Sequence, residues 1–165
     1  MTAVQETSNT IKLARITKEE QLPAVKELFL EYANSLSFSL CFQSFGAEMQ
    51  ELLKRYGPPQ GALILASVDG ENAGCVAMHK LSEGICEMKR LYVRDAYRGL
   101  GLGKRLVTAV IESAKSAGYR AIRLDTLASM EAAQHLYLSF GFYDIEPYAD
   151  NPLSEARYME YTITA

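Results

Sequence analysis

The chain has 165 residues, 48% of them hydrophobic and 22% charged, with a formal net charge of -3. That length suits one domain with a sizeable core, and the apolar content is too high for a disordered chain. The longest apolar stretch, Ala62–Ala66, is far too short to span a bilayer as a helix.

Residues 1–10 are polar and are expected to form a flexible N-terminus, with no basic start and no apolar core of a secretory signal, so the cytoplasm is the expected compartment. Residues 11–165 are expected to form a single domain. Ile11 to Ile16 partly alternates and reads as a strand. Thr17 offers an N-cap with Glu20 three residues on, and Leu22, Val25, Phe29, Leu30 and Ala33 repeat at helical spacing. Residues 35–44 have no clear period. Helical spacing returns from Phe45 to Tyr56 and stops at Gly57-Pro58-Pro59. Ala62 to Val68, Gly74 to Leu81 and Ile85 to Val93 then read as an antiparallel meander joined by turns at Asp69-Gly70 and Ser82-Glu83-Gly84. Beyond it, Leu102 to Ala117 is a helical stripe ending at Gly118 and Ala121 to Thr126 a strand. Met130 to Phe140 reads as a helix, and strands follow at Phe142 to Ile145 and Tyr158 to Thr164. The pattern is one mixed α/β domain, antiparallel first and then alternating strand and helix.

Cys41, Cys75 and Cys86 are an odd number without a CxxC pair, which does not suit a disulfide framework. Cys75 and His79, four apart in a strand, would stand about 13 Å apart, too far to share a metal. No metal site is expected. Cys86 is a conceivable acyl carrier, but it stands alone.

The densest chemistry runs from Leu91 to Leu106: a strand, a short turn, Gly99, Gly101 and Gly103 at alternate positions, then an amphipathic helix. Glycines there let a ligand approach the backbone and leave the first helical amides pointing outward, where the helix dipole favours an anion such as phosphate. Six basic residues lie between Lys89 and Arg105 against Asp95 alone, a local positive field in an acidic protein. The field is confined to one short segment and the pI is about 5.5, which argues against a nucleic-acid surface. A P-loop would need Gly where Arg98 stands and Ser or Thr where Arg105 stands. A dinucleotide fingerprint needs a third glycine, but counting from Gly99 or Gly101 reaches Lys104 or Leu106; only Asp125 resembles its ribose-binding acid.

Arg98-Gly99-Leu100-Gly101-Leu102-Gly103 resembles the R/Q-x-x-G-x-G/A motif of the GNAT superfamily of acyl-CoA-dependent N-acyltransferases. Glu87 to Val93 is similar to that family's central strand, and Leu136 to Phe142 to its later L-Y-x-x-x-G-F signature. The element order also matches, so the resemblance covers almost the whole chain. It implies the GNAT fold: a mixed, mostly antiparallel sheet of about seven strands flanked by about four helices.

The resemblance further implies acetyl-CoA as co-substrate, with its pyrophosphate on the amides of Arg98, Gly99, Leu100, Gly101, Leu102, Gly103 and Lys104 and its pantetheine along Leu91, Tyr92 and Val93. Tyr137 matches the tyrosine that protonates the departing thiolate in many members; packing beside Ala133, Leu136 and Phe140 is the alternative. Glu87 stands where some members hold the general base, and an ion pair with Lys89 or Arg90 is equally in keeping with its position. Where many members carry an Asn before the last helix, this chain has Leu127-Ala128-Ser129-Met130, with Ser129 as the substitute contact. His135 is expected on the exposed side of its helix, without a role. The acceptor groove falls between residues 32–45 and 148–157, with Phe42, Gln43 and Tyr148 as candidate contacts, Phe38 and Phe45 nearby, and Glu31, Glu48, Asp150 or Glu155 to attract a cation. The reaction so implied is acetyl transfer to a primary amine, on a small molecule or a peptide, by direct attack, without nucleic acid or membrane partners. A homodimer through the C-terminal strand is left open. A catalytically silent CoA-binding module and a nucleotide-dependent oxidoreductase are the competing readings.

Overall fold

A computed structural model describes residues 9–36, 45–127, 130–149 and 156–163, which build a seven-stranded sheet and five α-helices among the described residues. The strands are β1 (Ile11–Arg15), β2 (Ala62–Val68), β3 (Glu71–Ser82), β4 (Ile85–Val93), β5 (Ala121–Leu127), β6 (Tyr143–Asp144) and β7 (Ala156–Thr162). The helices are α1 (Leu22–Ser35), α2 (Phe45–Gln50), α3 (Leu52–Tyr56), α4 (Leu102–Ser116) and α5 (Glu131–Phe140). The sheet order is β1-β2-β3-β4-β5-β7-β6, and every pairing is antiparallel except β4 with β5. The mixed, mostly antiparallel sheet is the one expected, with a fifth helix in place of the four. The extra helix arises because Glu51 leaves the helical region at φ -130 and splits the expected Phe45–Tyr56 helix in two.

Alternation along the strands sends side chains to two cores, one on each face. Met78, Cys86, Met88 and Ile122 pack under α4 and α5 with Leu106, Val110 and Tyr137. Leu63, Cys75 and Ala77 face α1 and α3 with Val25, Phe29, Leu52 and Tyr56. Within α1 the buried row is Leu22, Val25, Leu28 and Phe29, whereas Leu30, assigned to the stripe from its spacing, is half exposed. The expected Thr17–Glu20 capping box is replaced by Gln21, whose Oε1 accepts the amides of Thr17 and Lys18 at 3.1 Å each. A 3-10 turn at Glu19–Gln21 thus precedes α1. No helix among the described residues is long and apolar enough to cross a membrane.

Two irregularities shape the centre of the sheet. Cys75 pairs with Tyr92 but Ala77 pairs with Lys89, so β4 carries one residue more than β3 across the step. Arg90 absorbs the surplus at φ 61, a left-handed backbone that non-glycine residues rarely adopt. On the other side of β4, the parallel ladder with β5 holds only Ile85↔Ala121, Cys86↔Ile122 and Glu87↔Arg123. Beyond Glu87 the two strands part.

Candidate active site

The gap between the parted strands is a cleft walled by Met88 to Leu91 of β4, Leu124 to Thr126 of β5, Tyr32 of α1 and Tyr137 of α5. Its position follows from the sequence of elements. The Arg90 bulge lies just beyond the last β4–β5 pair at Glu87, and the β4–α4 connection leaves the sheet after Val93.

That connection is a 3-10 turn at Asp95–Tyr97 followed by Gly99 and Gly101, at φ 86 and 79, and then the first residue of α4, Leu102. A Cβ at Gly99 or Gly101 would meet nothing within 4 Å, so it is the left-handed backbone and not crowding that calls for glycine. At Gly103 the reverse holds: a Cβ would lie 3.1 Å from Leu136 Cδ2, where α4 and α5 come together. Arg105 N donates to Gly101 O at 3.1 Å as the first bond of the α4 ladder. The amides of Leu102, Gly103 and Lys104 precede it, and no capping side chain sits across them. An anion at this end would meet aligned N–H groups and the positive end of a 15-residue helix.

The expected positive field is smaller than the residue count suggests. Arg90 is buried and grips Glu48 of α2 with two hydrogen bonds of 3.0 Å each. Arg94 holds Glu31 with two nitrogens and Glu27 at 3.0 Å; Arg98 pairs with Asp95 at 3.1 Å, and Lys89 stands 3.7 Å from Glu87. Lys104 and Arg105 remain as exposed cations beside the glycine turn. The same pairs remove Glu31 and Glu48 from the acids proposed to attract a cationic acceptor, since each is occupied by an arginine.

Glu87 occupies the last position at which β4 pairs with β5 and is 7% exposed. Its Oε1 lies 2.8 Å from His79 Nε2, and its Oε2 accepts the Tyr148 hydroxyl at 2.7 Å. Burial opposes the charge, but the His79 hydrogen bond, the Lys89 ammonium and the Tyr148 hydroxyl outweigh it and pull the carboxyl down to about 2. The expected ion pair with Lys89 is present, the one with Arg90 is not, and His79 is a partner that strand periodicity alone does not reveal. The Tyr148 ring stacks edge-on against Tyr158 at 5.1 Å and lies under the Arg123 guanidinium at 5.6 Å.

Tyr137 is 6% exposed, its ring 5.6 Å from that of Phe142, and it lines the cleft. Burial pushes its phenol above the ordinary tyrosine value, so it stays protonated at neutral pH. Leu91, Tyr92 and Val93 lie half-buried along β4, and Tyr92 sits 6.0 Å from Tyr32, ring to ring. Cys86 is fully buried and its thiol is pushed up to about 12, chiefly by burial, which is unsuited to carrying an acyl group. His135 is exposed. Among the described residues no cluster of His, Cys, Asp and Glu is arranged to hold a metal. Ser129, Phe42 and Gln43, with Phe38, Asp150 and Glu155, lie outside the described residues. The structure thus brings Leu91 and Tyr137 onto the wall of one cleft, sets Glu87 with Tyr148 on it at the end of the β4–β5 ladder where the cleft begins, and leaves Leu100, Gly101, Lys104 and Arg105 lining a separate surface hollow.

Comparison with known proteins places this arrangement. The acetyltransferase (GNAT) family model matches residues 22–142. An uncharacterized N-acetyltransferase of Schizosaccharomyces pombe is 39% identical over 153 residues, 92% of this chain and 94% of that protein. Among solved structures, a GNAT-family acetyltransferase of Staphylococcus aureus superposes with a TM-score of 0.78 at 20% identity, covering 94% of this chain and all of its own. A Salmonella typhimurium structure described as a putative acetyltransferase with its cofactor acetyl-CoA gives a TM-score of 0.66 at 17% identity, with 94% of each chain covered. With the family model spanning both the glycine turn and Tyr137, and a relative of this identity along nearly its full length, the chain belongs to the GNAT acetyltransferase family.

Proposed function

We propose that the protein transfers the acetyl group of acetyl-CoA to a primary amine by direct attack of the amine nitrogen. The observation that carries this reading is the parting of β4 from β5 immediately after Glu87, with Tyr137 on the wall of the gap and β4 running on into the glycine turn at the uncapped start of α4. The residues fit coenzyme A: Gly99 and Gly101, with open space at their Cβ positions, admit a pyrophosphate to the amides from Gly99 to Lys104, with the Lys104 side chain beside them, whereas the expected Arg98 amide is held by the Asp95 carbonyl at 3.2 Å. The strand Leu91–Val93, unpaired on its β5 side, offers backbone groups to an amide-bearing chain such as pantetheine. When bound, acetyl-CoA supplies an activated acetyl group as a thioester.

The chain's own groups then manage protons. An acceptor amine is mostly an ammonium at neutral pH and loses a proton before its nitrogen can attack. Glu87, at the fork of the strands, receives that proton. Tyr137 holds its proton across the neutral range and gives it to the sulfur that departs. Tyr148, fixed by Glu87 and Tyr158, lines the acceptor side, with Phe42 and Gln43 as further contacts and Ser129 on the cofactor side. The acceptor is a small molecule or a peptide presenting a primary amine.

Calorimetric titration with acetyl-CoA, NAD and ATP tests the first half. Saturable binding of acetyl-CoA alone is expected, and binding of NAD alone would favour the oxidoreductase reading. Coenzyme A release with spermidine, aspartate and an alanine-terminated peptide as acceptors tests the second; binding without turnover would leave a silent CoA-binding module. Y137F is expected to lower kcat by about 100-fold while leaving the acetyl-CoA Kd within twofold, which separates a proton donor from a packing residue.

A further inference from the structure

His79 of β3 sits directly across the ladder from Glu87, and both of its ring nitrogens are engaged. Nε2 lies 2.8 Å from Glu87 Oε1, and Nδ1 lies 2.9 Å from the Lys80 carbonyl. Both partners are acceptors. A neutral imidazole has one N–H and one bare nitrogen, so only the doubly protonated ring donates to both. With the proton on Nδ1 alone, bare Nε2 would face a carboxylate oxygen across a hydrogen-bond distance, which is a place for one more proton. The occupancy of Nε2 and the charge of Glu87 are therefore linked through the 2.8 Å contact they share.

Glu87 alone is badly matched to an ammonium, since its carboxyl is pulled down to about 2 by its donors, His79 first among them. Withdrawing the Nε2 proton removes the strongest of those donors. Histidine is also the side-chain type that changes charge between about pH 5 and 8. The surrounding charges are fixed ones. Lys89 stands 3.7 Å from Glu87, Tyr148 donates to the other carboxylate oxygen, and the Tyr56 ring of α3 meets the imidazole edge-on at 5.8 Å. Arg55 and Glu48 lie behind Tyr56; Lys80 turns outward to Glu83. From β5 and β7, Arg123 is tied to Glu160 at 2.8 Å, and the field of Asp125 and the ring of Tyr158 reach the pair by way of Tyr148. The His79 side chain keeps 15% of its surface exposed against 9% for Glu87, so the ring has the wider route to water.

We infer that His79 and Glu87 form one proton-accepting pair: a proton of the acceptor ammonium passes to the Glu87 carboxylate, moves on to His79 Nε2, and leaves from the ring to water. The nitrogen electron pair so freed forms the bond to the acetyl carbon, and the second N–H proton balances the one Tyr137 gives to the departing sulfur. One proton reaches solvent per turnover. The structure with both nitrogens donating is then the loaded state, and the reactive state is the one lacking the Nε2 proton. His79 is a positioning and proton-carrying residue that acts through Glu87. The inference rests on the transferase reading above and adds to it which groups move the proton.

H79Q tests it, because a glutamine amide still donates to Glu87 but cannot pass a proton on. The profile of kcat/KM from pH 5.5 to 9 is measured with acetyl-CoA and whichever of spermidine, aspartate or the alanine-terminated peptide the wild type acetylates. The wild type is expected to rise through one ionisation. H79Q is expected to lose that ionisation and about 100-fold in kcat, with the acetyl-CoA Kd within twofold by calorimetry. An H79Q profile that keeps the wild-type ionisation and rate overturns the inference while leaving the transferase reading intact; a wild type that acetylates none of the amines defeats the transferase reading itself. Imidazole nitrogen NMR of the protein alone provides a readout independent of turnover, since His79 and His135 are the two histidines. E87Q should move the Nε2 resonance of His79, which loses its carboxylate partner, and leave the resonances of His135 in place; an unmoved His79 overturns the pairing.

Discussion

Arg90 combines a left-handed backbone, a buried guanidinium and a place on the cleft wall. Its backbone carbonyl accepts the Cys75 thiol at 3.5 Å, its side chain grips Glu48, and the Phe45 ring lies 5.3 Å from its guanidinium carbon. Burial disfavours that charge, and the Glu48 carboxylate more than restores it. Removing Glu48 takes the bidentate carboxylate from a buried cation, so E48A should destabilise by about 3–5 kcal/mol in urea unfolding at pH 7, and E48Q, which keeps one acceptor, by less. Glu87 makes a second prediction, about acid. Its carboxyl is lowered in the folded state from 4.5 to about 2. The stability it contributes is complete above the unfolded value and drains as pH falls from there towards the folded one. Thermal unfolding of the wild type should therefore weaken between pH 4.5 and 2 more steeply than that of E87Q.

Among the elements, the β4–α4 connection is where local backbone and ligand chemistry meet. A side chain at Gly101 would find room but not an allowed conformation, so G101A should lose about 1–2 kcal/mol in thermal unfolding. The same substitution tilts the leading amides of α4, and acetyl-CoA affinity measured by calorimetry is expected to weaken several-fold. This connection was legible in the chain because glycine spacing and an amphipathic stripe are local signals, and β4 itself runs from Ile85 to Val93 as its pattern implied. The break at Glu51 was not legible, since Met49, Leu52 and Leu53 keep helical spacing straight across it. Nor was the partner of Glu87. His79 reaches it only through the register of β3 on β4, and Glu48 meets Arg90 across 42 positions of chain, distances over which periodicity carries no information.

At the scale of the whole molecule, charges are arranged in neutralised pairs more than in a field. Of the six cations between Lys89 and Arg105, four have carboxylate partners within 4 Å, leaving Lys104 and Arg105 to act on an incoming polyanion. Two exposed charges are screened within a Debye length of about 10 Å at 0.1 M salt. The acetyl-CoA Kd is accordingly expected to rise by less than about tenfold between 0.05 and 0.5 M NaCl, and a much steeper dependence would show that the paired arginines release their partners to meet the ligand. Family membership was readable from two short motifs; this restrained electrostatics was not, because a count of basic residues says nothing about which acids the fold delivers to them.

The three-residue ladder between β4 and β5 makes the sheet an unfinished one. Downstream of the fork, the facing edges of β4 and β5 no longer pair with each other. A bound molecule with amides of its own becomes an interposed strand, and the two halves of the sheet are then stitched through it. Those amide hydrogens of residues 88–93 and 124–127 that are not bonded into the ladders with β3 and β7 should consequently exchange with deuterium quickly in the free protein and slowly in the complex. Occupancy of the cleft would in this way be reported along the backbone from one core to the other.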